Sequence, residues 1–71
     1  MPDTIGNIIS AMRALESQRS SLQAKLANLL AEKSEMERQG KLPTNLSAIS
    51  LTQSQIRNLD NRIDALKAQL K

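Results

Sequence analysis

The stretch Arg38-Gln39-Gly40-Lys41-Leu42-Pro43-Thr44-Asn45 divides this chain into two segments of helical character. Glycine readily adopts the left-handed conformation that ends many helices, and proline cannot simply continue a preceding helix. Gly40 and Pro43 therefore predict a turn at about residues 40–44. A single unbroken helix is the alternative, and these two residues argue against it.

Apolar residues recur on both sides of this turn at alternating intervals of three and four residues. Before the turn the row is Ile5, Ile8, Met12, Leu15, Arg19, Leu22, Leu26, Leu29, Lys33 and Met36. After the turn the row is Ile49, Thr52, Ile56, Leu59, Ile63, Leu66 and Leu70. A mean spacing of about 3.5 residues predicts helices that keep one seam against each other. Arg19 and Lys33 interrupt the seam, where they either extend their charges into water or fix the register.

These features predict an all-α fold, an antiparallel two-helix hairpin of the coiled-coil kind, in a single domain over residues 1–71. The first helix is expected at about 3–39 and the shorter second helix at about 45–70. Asp3 or Thr4 is expected to cap the first helix, and Thr44 or Asn45 the second, because their side chains can accept bonds from free N–H groups.

Unequal helix lengths predict an uncovered apolar tip. If Leu29 lies opposite Ile56, then Leu15 faces Leu70 and the second helix ends there. Four residues of the first helix would then project beyond it: Ile5, Ile8, Ile9 and Met12. Three further leucines lie off the seam: Leu30, Leu46 and Leu51. A hairpin has one internal seam, so we expect all seven residues to bind a partner protein or a second copy.

The composition includes few of the residue types that serve as catalytic bases or metal ligands. The chain has no His and no Cys, so the usual general base and thiolate ligands are missing. We expect no catalytic site, no cofactor, no metal site and no enzyme activity. Glu32, Glu35 and Glu37 are expected to form surface pairs such as Lys33–Glu37.

The charge distribution and the hydropathy disfavour nucleic acids and membranes as partners. Ten basic and seven acidic residues give a net charge of +3, and the basic residues are spread evenly. Nucleic-acid binding favours a concentrated basic face, and aromatic residues, which stack on bases, are absent. No apolar stretch approaches the roughly 20 residues that span a bilayer, and no signal peptide is visible. We expect a cytoplasmic protein without membrane insertion.

The hinge Arg38-Gln39-Gly40-Lys41-Leu42-Pro43, between a long and a shorter helix in a chain of 71 residues, resembles the connector of the YscE-like co-chaperones of type III secretion needle subunits. The resemblance implies a bacterial cytoplasmic protein that pairs with a larger helical-repeat chaperone. The two would hold the needle subunit unpolymerised before export. Many members of that family carry aromatic residues in the second helix, and this chain has none.

Two alternatives remain open from the sequence. The hairpin could form a homodimeric four-helix bundle that acts as a scaffold. It could also bind RNA, as the plasmid copy-control Rop proteins do with a hairpin of similar length, although the dispersed basic residues disfavour this interpretation.

Overall fold

The computed structural model describes residues 4–70, which form two helices, α1 (Thr4–Arg38) and α2 (Leu46–Ala68). The helices pack against each other as an antiparallel hairpin that measures 61 × 15 × 14 Å. The predicted fold class is confirmed. Helix bounds differ from the expected ones by one or two residues, which is usual for helix ends. Asp3, one of the expected caps of α1, lies outside the described residues.

Gly40 ends α1 in the way the sequence predicts. Its φ of 75° lies in the left-handed region. The amide of Lys41 donates to the carbonyl of Met36 at 2.9 Å, and the amide of Gly40 donates to the carbonyl of Glu37 at 3.0 Å. This pair of bonds is the Schellman motif, which satisfies carbonyls that the end of the helix leaves free.

The predicted seam is the buried surface of the hairpin. Every seam position in both helices is buried or half-buried except Ile5 and Leu70, which lie at the open end. Leu15, Leu59 and Ile63 form the core, and three partly buried residues pack against it: Met12, Leu22 and Leu66. A core of this size leaves much of the molecule's apolar surface outside it.

The predicted register is wrong by one heptad. Leu15 clusters with Ile63 rather than facing Leu70. Asn45 lies beside Leu29, since its Nδ2 donates to the Leu29 carbonyl at 2.8 Å. The cause is the segment 41–45, which is not helical. Extended chain advances about 3.3 Å per residue against 1.5 Å in a helix, so this segment runs back along α1 and starts α2 nearer the open end.

The predicted cap of α2 has the expected position but another role. Asn45 is the N-cap residue, yet its side chain makes no capping hydrogen bond. Nδ2 instead ties the start of α2 to the carbonyl of Leu29, and Oδ1 is buried without a hydrogen-bond partner among the described residues. Thr44 does not cap either, because its Oγ1 lies 3.5 Å from the Sδ of Met36.

Candidate functional site

The hairpin has two sides that flank its seam. With Ile5 and Ile49 as heptad a positions, the e positions of both helices share one side of an antiparallel pair and the g positions share the other. The first, here called the Arg19 side, carries Ile9, Glu16, Gln23, Leu30 and Glu37 of α1 and Leu46, Gln53, Asp60 and Lys67 of α2. The second, here called the groove side, carries Ala11, Gln18, Lys25 and Glu32 of α1 and Ala48, Gln55 and Arg62 of α2.

The groove side holds two shallow depressions along the line where the helices meet. One is lined by Gln18, Leu22, Ser54, Gln55, Asn58, Leu59 and Arg62. The other is lined by Ala11, Ala14, Leu15, Gln18, Arg62, Ala65 and Leu66. The lining consists of small side chains, amides and core leucines, with one cation. Neither lining contains a carboxylate.

Arg19 marks the middle of the opposite side. Its Nη1 contacts Oδ1 of Asp60 at 2.9 Å, and both side chains are between one third and one half exposed. This hydrogen bond raises the pKa of Arg19 above its ordinary value. The charges of Asp60, Glu16 and Asp64 act in the same direction, against partial desolvation. Arg19 thus extends its charge off the seam and also joins the helices. The sequence did not single out Asp60, because the predicted register kept it away from Arg19.

Three large apolar side chains stand exposed on the Arg19 side. Leu30 is 42% exposed and Leu46 is 53% exposed. The hydrogen bond from Asn45 to the Leu29 carbonyl places these two leucines next to each other in the turn half of the hairpin. Ile9, 37% exposed, lies on the same side near the open end. All three were predicted as partner-binding residues, and the structure leaves them accessible.

The predicted tip is covered in part by its own chain. Ile8 is only 9% exposed, and Met12 packs against the core cluster. The prediction that these two residues project uncovered is wrong, because the true register carries α2 one heptad further along α1. Ile5 remains 63% exposed, and Leu70, which follows the end of α2, is 41% exposed at the same open end of the hairpin.

Two exposed leucines lie apart from the Arg19 side. Leu51 occupies a heptad c position, which faces away from the seam toward the groove side, and it is 59% exposed. Leu42 is the most exposed large apolar residue of the described chain and lies in the turn. Leu42 was not among the predicted partner-binding residues, although an apolar residue before Pro43 in a turn was the available signal.

Two further ion pairs lie on the surface close to the turn. Lys33 and Glu37 lie 2.6 Å apart, as predicted, and Arg38 pairs with Glu35 at 2.5 Å. Within residues 4–70, no group of three or more His, Cys, Asp or Glu side chains is placed to hold a metal ion. Neither α1 nor α2 is long and apolar enough to cross a membrane over the residues described.

No protein-family model, curated protein or solved structure matches this chain. The candidate site therefore rests on the geometry of the Arg19 side and the open end.

Proposed function

We propose that this chain is a non-enzymatic protein-interaction module, a helical hairpin whose exposed apolar residues are buried by a partner. One observation carries the proposal. Among the described residues, five apolar side chains are buried, while seven large apolar side chains are exposed: Ile5, Ile9, Leu30, Leu42, Leu46, Leu51 and Leu70. Single exposed leucines are ordinary, but exposed large apolar side chains that outnumber the buried ones favour an interaction surface.

The resemblance to the YscE-like co-chaperones supplies a specific form of this proposal. In that form the hairpin binds a larger helical-repeat chaperone in the bacterial cytoplasm, stabilises it, and helps to keep the needle subunit unpolymerised. The burial of the apolar face of an amphipathic helix in a hydrophobic groove is a known mode of recognition. Leu30 and Leu46 are the side chains best placed to anchor such a contact.

The RNA-binding form has less support. The cations of the described chain are divided between both sides and both ends, and Arg19, Lys33 and Arg38 are already paired with carboxylates. Nucleic-acid binding depends on cations that are free to neutralise several phosphates together.

Site-directed photo-crosslinking in the host cell tests the proposal. A photoreactive residue at Leu30 should give an adduct heavier than the chain, because that position contacts the partner. The same residue at Ala31, the exposed next position on the outer face of α1, is the matched control and should give little adduct. Mass spectrometry of the adduct identifies the partner, and a helical-repeat chaperone would support the co-chaperone form. Equal yields at both positions, or none at either, would show that this surface is not an interface.

A further inference from the structure

The hairpin exposes more surface than a compact monomer of its mass. Its accessible surface is 5339 Å². A compact monomer of 7.8 kDa exposes about 4400 Å². The excess of roughly 900 Å² is close to the share of about 800 Å² that each partner contributes to a standard interface. One added interface per chain would therefore bring the exposed surface to the usual value.

Apolar residues on the Arg19 side lie at its two ends, with a polar stretch between them. Ile9 is near the open end, and Leu30 with Leu46 is in the turn half. Ile9 and Leu30 are separated by three heptads of α1, or about 31 Å. The e positions between them on α1 are Glu16 and Gln23. The order along α1 is thus apolar, polar, polar, apolar, which is symmetric about its midpoint.

We propose that the Arg19 side docks a second copy of this chain in antiparallel orientation, so that Ile9 of each copy packs against Leu30 and Leu46 of the other. The inference rests on the proposed function in its general form, and it names a second copy, in place of a helical-repeat chaperone, as the partner that covers this side. The two copies would be related by a two-fold axis perpendicular to the rod, level with the midpoint between Glu16 and Gln23. This axis brings Ile9 of each copy level with Leu30 of the other. Such an interface is closed and uses the same surface on both copies.

Charge favours this orientation over the parallel one. An axis along the rod would place α1 of each copy against α2 of the other, so that Glu16 would face Asp60 of the second copy, which lies at the height of Arg19. Like charges directly opposite each other destabilise a contact. The perpendicular axis sets Glu16 opposite Gln23 instead, and it brings the two Arg19–Asp60 ion pairs together beside the axis.

The groove side takes no part in this interface. Leu51 is more exposed than either Leu30 or Leu46, yet its heptad position faces the other way. If total exposed apolar area alone caused self-association, Leu51 would contribute as much as the other two leucines. Leu51 is therefore a matched control, within the same chain, for the effect of exposed apolar area.

Analytical ultracentrifugation across a range of concentrations tests the association. The wild-type chain is expected to reach twice its 7.8 kDa mass. Leu30→Gln with Leu46→Gln should raise the dissociation constant about tenfold or more, since both leucines would leave the interface. Leu51→Gln should leave it unchanged. Circular dichroism of each variant checks that the helices persist. A wild-type chain that stays monomeric, or an equal effect of Leu51→Gln, would overturn the proposal.

Disulfide trapping tests the orientation, and the chain suits it because it has no cysteine. Ile9→Cys and Leu30→Cys variants, mixed and oxidised, should form the mixed disulfide, because a bridge needs the two Cα atoms within about 7 Å. Leu30→Cys alone should remain unlinked, with its two copies about 31 Å apart. Homodisulfides at position 30 without the mixed species would overturn the antiparallel arrangement.

A monomeric chain that still gives a specific heavy adduct from Leu30 in cells would refute self-association and leave the proposed function intact.

Discussion

The open half of the hairpin and the turn half are held together by different interactions. In the open half, Leu15, Leu59 and Ile63 form a packed apolar cluster. In the turn half, the buried residues are Ile49 and Thr52, and the Oγ1 of Thr52 donates to the Ala48 carbonyl within α2 at 2.7 Å. The hydrogen bond from Asn45 to the Leu29 carbonyl joins the two helices there. The same heptad pattern runs through both halves, so the pattern by itself does not determine where the stability lies.

This difference bears on function, because the exposed leucines of the Arg19 side belong to the half with less core. Leu30 and Leu46 lie beside a seam that contains Lys33 and Thr52. A partner that covers the two leucines would add apolar burial where the hairpin has least of its own. We therefore expect partner binding to stabilise the turn half more than the open half.

The largest expected effect is that of Ile63→Ala, which removes the most deeply buried apolar side chain, 1% exposed. It should lower the free energy of unfolding by about 3 kcal/mol. Ile56→Ala is the matched control, since Ile56 is the same residue type one heptad earlier on α2 and is only half-buried. Urea unfolding followed by helical ellipticity at one protein concentration measures both. Equal losses would mean that the apolar core extends evenly into the turn half.

The next effect is expected from Asn45→Asp. Ordinary capping preference treats Asn and Asp alike at this position. Here the Asn45 amide donates to the Leu29 carbonyl, and a carboxylate would place a negative oxygen against that carbonyl. We expect a loss of about 1–2 kcal/mol in the free energy of unfolding. Asn28→Asp, an exposed change of the same kind on α1, controls for the added charge. An unchanged stability for Asn45→Asp would restore the capping role.

Asn45 also illustrates the limit of what the sequence could predict. Residue type and heptad spacing predicted the two helices, the seam, the turn at Gly40 and the Lys33–Glu37 pair, because each depends on neighbours within one or two turns of helix. The register depends on the distance that the segment 41–45 spans along α1, and the backbone conformation of the segment sets this distance. The heptad pattern does not contain this distance, because sliding α2 along α1 by one heptad still leaves every seam residue of both helices in the seam.

The error in register also changed the candidate site. It placed Ile8 and Met12 in an uncovered tip, whereas the structure buries the first and packs the second against the core. It also concealed the pairing of Arg19 with Asp60. The off-seam residues Ile9, Leu30 and Leu46 were found correctly as exposed, because the side of a helix on which a residue lies follows from its own heptad position.

The smallest of the three effects concerns Gly40, which tests whether the turn half depends on backbone conformation. Apart from Gly40 and its two chain neighbours, no residue of the described chain has a heavy atom within 4 Å of the position that a Cβ at Gly40 would occupy, so the cost of a side chain comes from its φ of 75°. Gly40→Ala should lower the free energy of unfolding by about 1 kcal/mol, and Gly40→Asn by less, because Asn tolerates the left-handed region. A synthetic chain with D-alanine at this position is the decisive control, since the D residue prefers positive φ. It should be at least as stable as the wild type, and a D-alanine chain as unstable as the L-alanine variant would show that something other than backbone conformation limits this turn.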